Sequence, residues 1–291
     1  MSDRLEIVLD ARAELGEGPV WDAARRRLLF VDIMRGDLHV FDPATRTDRV
    51  VNVGRFVGAV ACATDGGWIA AAAQGFYRVS PDTGDVALVA DAAPGRDDVR
   101  MNDGNVDPAG RFWAGTMSLD RTPGQGALYR LDPDGRVHTM LEPVTTSNGI
   151  DWSPDGRFMY YVDTPTRRVD IFDFDVASAR ASNRRVFVDL QAERGRPDGL
   201  VVDAEGGVWV ALWRGAAVRR YRPDGSLDRV IGLPVELVTK CAFGGPALTD
   251  LYITTAWRGL SEEERRGQPL AGGVFRAAPG VRGQPARLFG R

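Results

Sequence analysis

Cysteine, histidine and lysine are nearly absent from this chain of 291 residues. It has two cysteines, two histidines and, among its 37 basic residues, the single lysine Lys240. Two thiols, Cys62 and Cys241, are too few for a disulfide framework in a chain this long, and neither lies in a CxxC pair of the kind that binds metal or cycles redox state. Buried, inert thiols are the expectation. His39 and His138 fall in or next to outer-strand segments and read as surface residues, and no HExxH, GxSxG or phosphate-cradling glycine loop occurs. A histidine-based triad is therefore excluded.

Long apolar runs and charge blocks are missing too. No segment approaches the roughly 18 apolar residues of a membrane span, and the first residues, MSDRLEIVLD, carry charges where a signal peptide needs an apolar core. The expected location is cytoplasmic, with no membrane partner. A net charge of -3 without a basic face argues against nucleic acid and leaves small molecules as partners.

A repeat is plainly present. Strand-like segments LLFVD, WIAAA, FWAGT, MYYVD, VWVAL and LYITT recur along the chain, at about the 40–50 residues of a propeller blade. Most follow a turn rich in Asp and Gly, such as DPAGR or SPDGR, which reverses the chain. A third segment follows each (DLHVFDP, GFYRVSP, ALYRLDP, RVDIFDF, AVRRYRP, GVFRAAP), then a more polar fourth (DRVVNV, DVALVA, RVHTML, RRVFVDL, LDRVIGL, ARLF). Four strands repeated six times predict an all-β fold, a six-bladed β-propeller around a central channel, as one domain over residues 1–291. Two β-sandwiches would not produce a sixfold register. LEIVLD near the N-terminus is expected to add a strand to the last blade and close the ring.

The innermost strands align as EGPVW, VGAVA, DGNVD, NGIDW, DGLVV and KCAFG. The residues before the glycine position, Glu17, Val57, Asp103, Asn148, Asp198 and Lys240, should converge at the channel mouth. Polar groups there can hydrogen-bond exposed backbone. Alternatively, Glu17, Asn148 and Asp198 offer hard oxygen donors of the kind that bind a divalent cation.

LGEGPVW, RMNDGNVDPAGRFWAGTM, QGALYRLDPDG, SNGIDWSPD, RPDGLVVD, CAFGG and GLSEEERRGQPLAGGVF resemble, in order, the SMP-30/gluconolactonase/regucalcin-like family of six-bladed propellers. The resemblance implies one divalent metal ion (Ca, Zn, Mg, Mn or Fe(II)) held by Glu17, Asn148 and Asp198, with Asp198 also the base, and hydrolysis of a sugar lactone by a monomer or weak homodimer. It implies substrate contacts from Arg100 and Asn102. Two positions depart from the family pattern. Asp120 stands where relatives can carry a substrate-contacting glutamate, and Lys240 where a small residue is expected. Both are expected on the substrate side of the site, Lys240 as a rim cation pairing with Asp120, Asp103 or an acidic substrate group. Competing readings of the same scaffold are a metal-dependent phosphotriesterase or aryl-ester lactonase, and a calcium-binding propeller without catalysis.

Overall fold

A computed structural model describes residues 5–290. Twenty-four strands form six four-stranded antiparallel sheets. The first five blades run in chain order, each from channel to rim, beginning with the innermost strands Gly16–Asp22, Val57–Cys62, Val99–Val106, Ser147–Trp152 and Arg196–Val202. The sixth starts with Val238–Gly244, continues through Asp250–Thr255 and Val274–Ala277, and takes its outer strand, Glu6–Leu9, from the N-terminus. Ile7 pairs with Phe275 and Glu6 with Arg276, so the ring is closed as the LEIVLD segment predicted.

Alternation along each strand buries apolar residues on both faces of every sheet, and six apolar clusters fill the six interfaces between neighbouring blades. Between the third and fourth blades, Trp113, Trp152 and Phe174 meet edge to face with centroids 5.7–5.9 Å apart. The turn aspartates serve the core as well as the turn. Asp107 and Asp203 accept the indole N–H of Trp113 at 2.9 Å and of Trp209 at 2.8 Å, so these two buried indoles are satisfied.

Two expectations fail. ARLF, residues 286–289, is not the outer strand of the sixth blade, because the N-terminal strand already pairs with that edge. The segment instead crosses beneath the channel. Gln284 Nε2 donates to Trp152 O and Val202 O, Arg287 Nη1 donates to Asp151 Oδ1 at 2.9 Å, and Phe289 N donates to Cys62 O at 2.9 Å. These partners lie at the C-terminal ends of the innermost strands, so the tail closes one end of the channel. His39, read as a surface residue, is only 7% exposed. It sits on the third strand of the first blade, stacked on Phe30 at 4.3 Å with Nδ1 against Asp48, and Phe30 belongs to the apolar cluster between the sixth and first blades, so this face of the strand is covered. Both cysteines are buried and free. No described helix is long and apolar enough to cross a membrane.

Candidate active site at the open end of the channel

The opposite end, where the innermost strands begin, holds a cleft of about 160 Å³. Each innermost strand breaks register as it enters: between Glu17 and Val20, Val57 and Ala59, Met101 and Gly104, Ser147 and Ile150, Pro197 and Leu200, and Val238 and Lys240. Such irregularities bend a strand and re-aim its side chains. They also explain the glycines. A Cβ on Gly149 would stand 2.7 Å from Leu200 N and 2.8 Å from Asp198 O, so only glycine lets the fourth and fifth blades approach closely enough for Asn148 and Asp198 to share a cleft.

Glu17, Arg100, Asn102, Asn148 and Asp198 all line this cleft, with Leu15, Met117, Arg121, Thr146, Thr164, Pro165, Arg196 and Trp213. The five are buried. Aspartates at the ends of second strands hold the loops that deliver them. Asp32 accepts Glu14 N at 2.7 Å and Leu15 N at 3.1 Å ahead of Glu17, and Asp163 accepts Thr145 N and Thr146 N ahead of Asn148. Asn148 Nδ2 donates to Thr164 Oγ1 at 3.0 Å, and that hydroxyl donates to Pro197 O at 2.9 Å. The amide nitrogen is thereby engaged, and the oxygen is left without a hydrogen-bond partner among the described residues. Arg100 Nη1 donates to Asn102 Oδ1 at 2.7 Å, and Asn102 Nδ2 donates to Ser147 O at 2.9 Å.

The electrostatics of this set are those of a cation site. Burial, then the charge of Asp103, pushes the Glu17 carboxyl up to about 8, and burial, then the charges of Glu17 and Asp103, holds Asp198 well above the ordinary aspartate value. Burial also pulls the Arg100 guanidinium down to about 10, still charged at neutral pH. Asn148 Oδ1 is buried and has no hydrogen-bond partner among the described residues, which is costly unless something else satisfies it. Two crowded carboxylates and an unpartnered amide oxygen fit a hard divalent cation, with Thr164 orienting the amide from behind. No three His, Cys, Asp or Glu side chains cluster as ligands among the described residues; the third donor here is an amide.

Two predicted residues lie outside the cleft. Lys240 is not a rim cation. It is 4% exposed, lies below the cleft beside an internal cavity of about 60 Å³, and its Nζ pairs with Asp103 and donates to Gly104 O at 3.2 Å. The bulge at Val238/Lys240 turns it inward, and the bare Cα of Gly199 makes room: a Cβ there would lie 2.4 Å from Lys240 Cγ. Of the partners expected for it, Asp103 is the one the fold supplies. Asp120 is exposed and does not line the cleft. Its carboxylate accepts the Ser118 hydroxyl and Thr122 N, which hold it down to about 2; being short, it serves its own turn. Sequence reasoning missed Arg121 and Arg196. Arg196 had a signal, standing two residues before Asp198 and so on the same side of its strand.

The family described as the SMP-30/gluconolactonase/LRE-like region matches residues 15–257. Regucalcin of Xenopus laevis is 37% identical over 99% of this chain and 99% of its own length. A Bacillus subtilis protein named "Putative sugar lactone lactonase YvrE" is 39% identical, covering 92% of each chain. Among solved structures, the calcium-binding protein regucalcin of Agrobacterium tumefaciens superposes with a TM-score of 0.95 at 29% identity, over 99% of this chain and 98% of that one.

Proposed function

The chain belongs to the SMP-30/gluconolactonase/LRE-like family, and from that premise we propose that it is a divalent-metal-dependent hydrolase that opens sugar lactones to aldonic acids. The observation that carries this reading is the convergence, in one cleft, of the crowded carboxylates of Glu17 and Asp198 with the unpartnered oxygen of Asn148. These three residues would hold the ion. Calcium, zinc, magnesium, manganese and iron(II) all accept such oxygen donors. The chemistry such an ion would supply there is polarisation of a carbonyl and stabilisation of negative charge on its oxygen.

The chain's own groups do the rest. Asp198 takes a proton from water as that water adds to the lactone carbonyl; the burial that raises its pKa also makes it a stronger base. The ring C–O bond then breaks, leaving a carboxylate and a hydroxyl. Arg100 and Asn102, locked together and to Ser147 O, present fixed donors to sugar hydroxyls and orient the ring. The walls of Leu15, Met117, Pro165 and Trp213 shelter the reacting carbonyl from bulk water.

A pH-indicator assay of aldonolactone opening, with wild type and Asp198→Asn, tests the reading. Turnover by wild type and its loss in the variant, with metal still bound, is expected. No opening of any aldonolactone by metal-loaded wild type would overturn the reading in favour of a binding propeller.

A further inference from the structure

Three guanidinium groups line the cleft, Arg100, Arg121 and Arg196, against the two carboxylates of Glu17 and Asp198. Several other arginines are tied to acid. Arg220 contacts Asp203, Glu205 and Asp228, Arg214 contacts Glu236 and Glu264, and Arg111 contacts Asp107. Arg121 and Arg196 are not so tied: both are exposed, no side-chain hydrogen bond or ion pair engages either among the described residues, and, unlike the similarly free surface residues Arg26, Arg46, Arg266 and Arg282, they line the cleft. Asp120, next to Arg121 in the chain, has its carboxylate committed to Ser118 and Thr122.

Arg196 opens the innermost strand of the fifth blade, two residues before Asp198 and ahead of the register break after Pro197. Arg121 follows the second strand of the third blade with φ at 64°, a turn conformation that Arg12, Arg26, Arg46, Arg167 and Arg214 also adopt, and its N–H donates to Ser118 O at 3.1 Å. The positive charges of Arg258 and Arg121 also bear on Arg100, and Arg258 is answered by Glu14. A neutral sugar would leave Arg121 and Arg196 unanswered.

Resting on the lactonase reading above, we propose that Arg121 and Arg196 form an anion subsite at the outer edge of the cleft, and that the substrate is a sugar lactone bearing an acidic group, carboxylate or phosphate, away from its ring ester. The planar guanidinium fork suits either group. A monoanionic carboxylate and a dianionic phosphate differ in charge and shape, so the two sources separate in the assay.

The test is kcat/KM of the metal-loaded protein on D-glucono-1,5-lactone, its 6-phosphate and D-glucaro-1,4-lactone. At least one acidic lactone should exceed the neutral one about tenfold, as for one charge-assisted contact. That advantage should shrink as salt shortens the Debye length from about 10 Å at 0.1 M to about 3 Å at 1 M. Arg121→Gln and Arg196→Gln should each move the acidic-to-neutral ratio toward one, through KM; a ratio needs no comparison of folded fractions. Turnover of the neutral lactone with no acidic preference, or a preference untouched by both substitutions, overturns the subsite and leaves the lactonase reading standing. Failure to open all three lactones overturns the lactonase reading and the subsite with it.

Discussion

Lys240 pairs with Asp103 across the channel, from the sixth blade to the third. Neighbouring innermost strands touch all the way round the ring, so these two blades face each other, and the pair is a strut through its centre. It also sets the charge beneath the cleft. Asp103 repels Glu17 and Asp198, whereas Lys240 draws both back toward the ionised form.

Removing one half of the strut should be expensive. Lys240→Met leaves Asp103 buried and uncompensated, a change that costs about 3–5 kcal/mol for a buried pair. Adding Asp103→Asn should recover most of that loss. Denaturant melts of both variants check it; a Lys240→Met protein as stable as wild type would show that the pair carries no stability.

Glu17→Gln should stabilise the metal-free protein at neutral pH while weakening divalent metal binding. With its folded value raised from 4.5 to about 8, Glu17 holds a proton in the folded state that the unfolded state has released. Its contribution is therefore fully present below 4.5 and is lost as pH rises toward 8. Glutamine removes that decline. It also removes a ligand charge, which should cost metal affinity at least the roughly tenfold seen for supporting residues. Melting temperature against pH, with and without metal, reads both effects.

Arg100→Ala should lower kcat/KM by about one to two decades, the worth of a charged hydrogen bond of about 1.5–3 kcal/mol. The loss should fall mainly on KM, because an arginine on sugar hydroxyls binds ground and transition states about equally. A collapse of kcat alone would place Arg100 on the reacting oxygen instead.

Truncation after Gly280 should destabilise the ring without touching the cleft. It strips Arg287 from Asp151 and Phe289 from the cluster between the second and third blades. Loss of one buried phenylalanine costs about 3–5 kcal/mol, and in a chain this long that is a fall of roughly 10 °C in Tm. An unchanged Tm would reduce the tail to a passive end.

Much of this was legible in the sequence because a propeller writes its fold in a repeat. Six copies fixed which strands face the channel, and LEIVLD showed where the ring closes. Glu17, Asn148 and Asp198 stood out because one alignment column maps to one place in the structure. The repeat could not show how far a side chain descends after a bulge, so Lys240 was placed at the rim although it lies inside. Nor could it place residues outside the aligned column: Asp120 and Arg121 are neighbours, yet the turn ties the first to Ser118 and Thr122 and brings the second to the cleft. ARLF had the pattern of an outer strand, but the edge it would have joined was already taken.

The most direct test of the central claim is turnover of an aldonolactone by protein stripped with chelator, verified metal-free by elemental analysis, and then titrated with a divalent metal. Metal dependence predicts no activity in the stripped protein and recovery that saturates at one ion per chain, with recovery strongly weakened in Glu17→Gln. Full activity in protein verified as metal-free would contradict it.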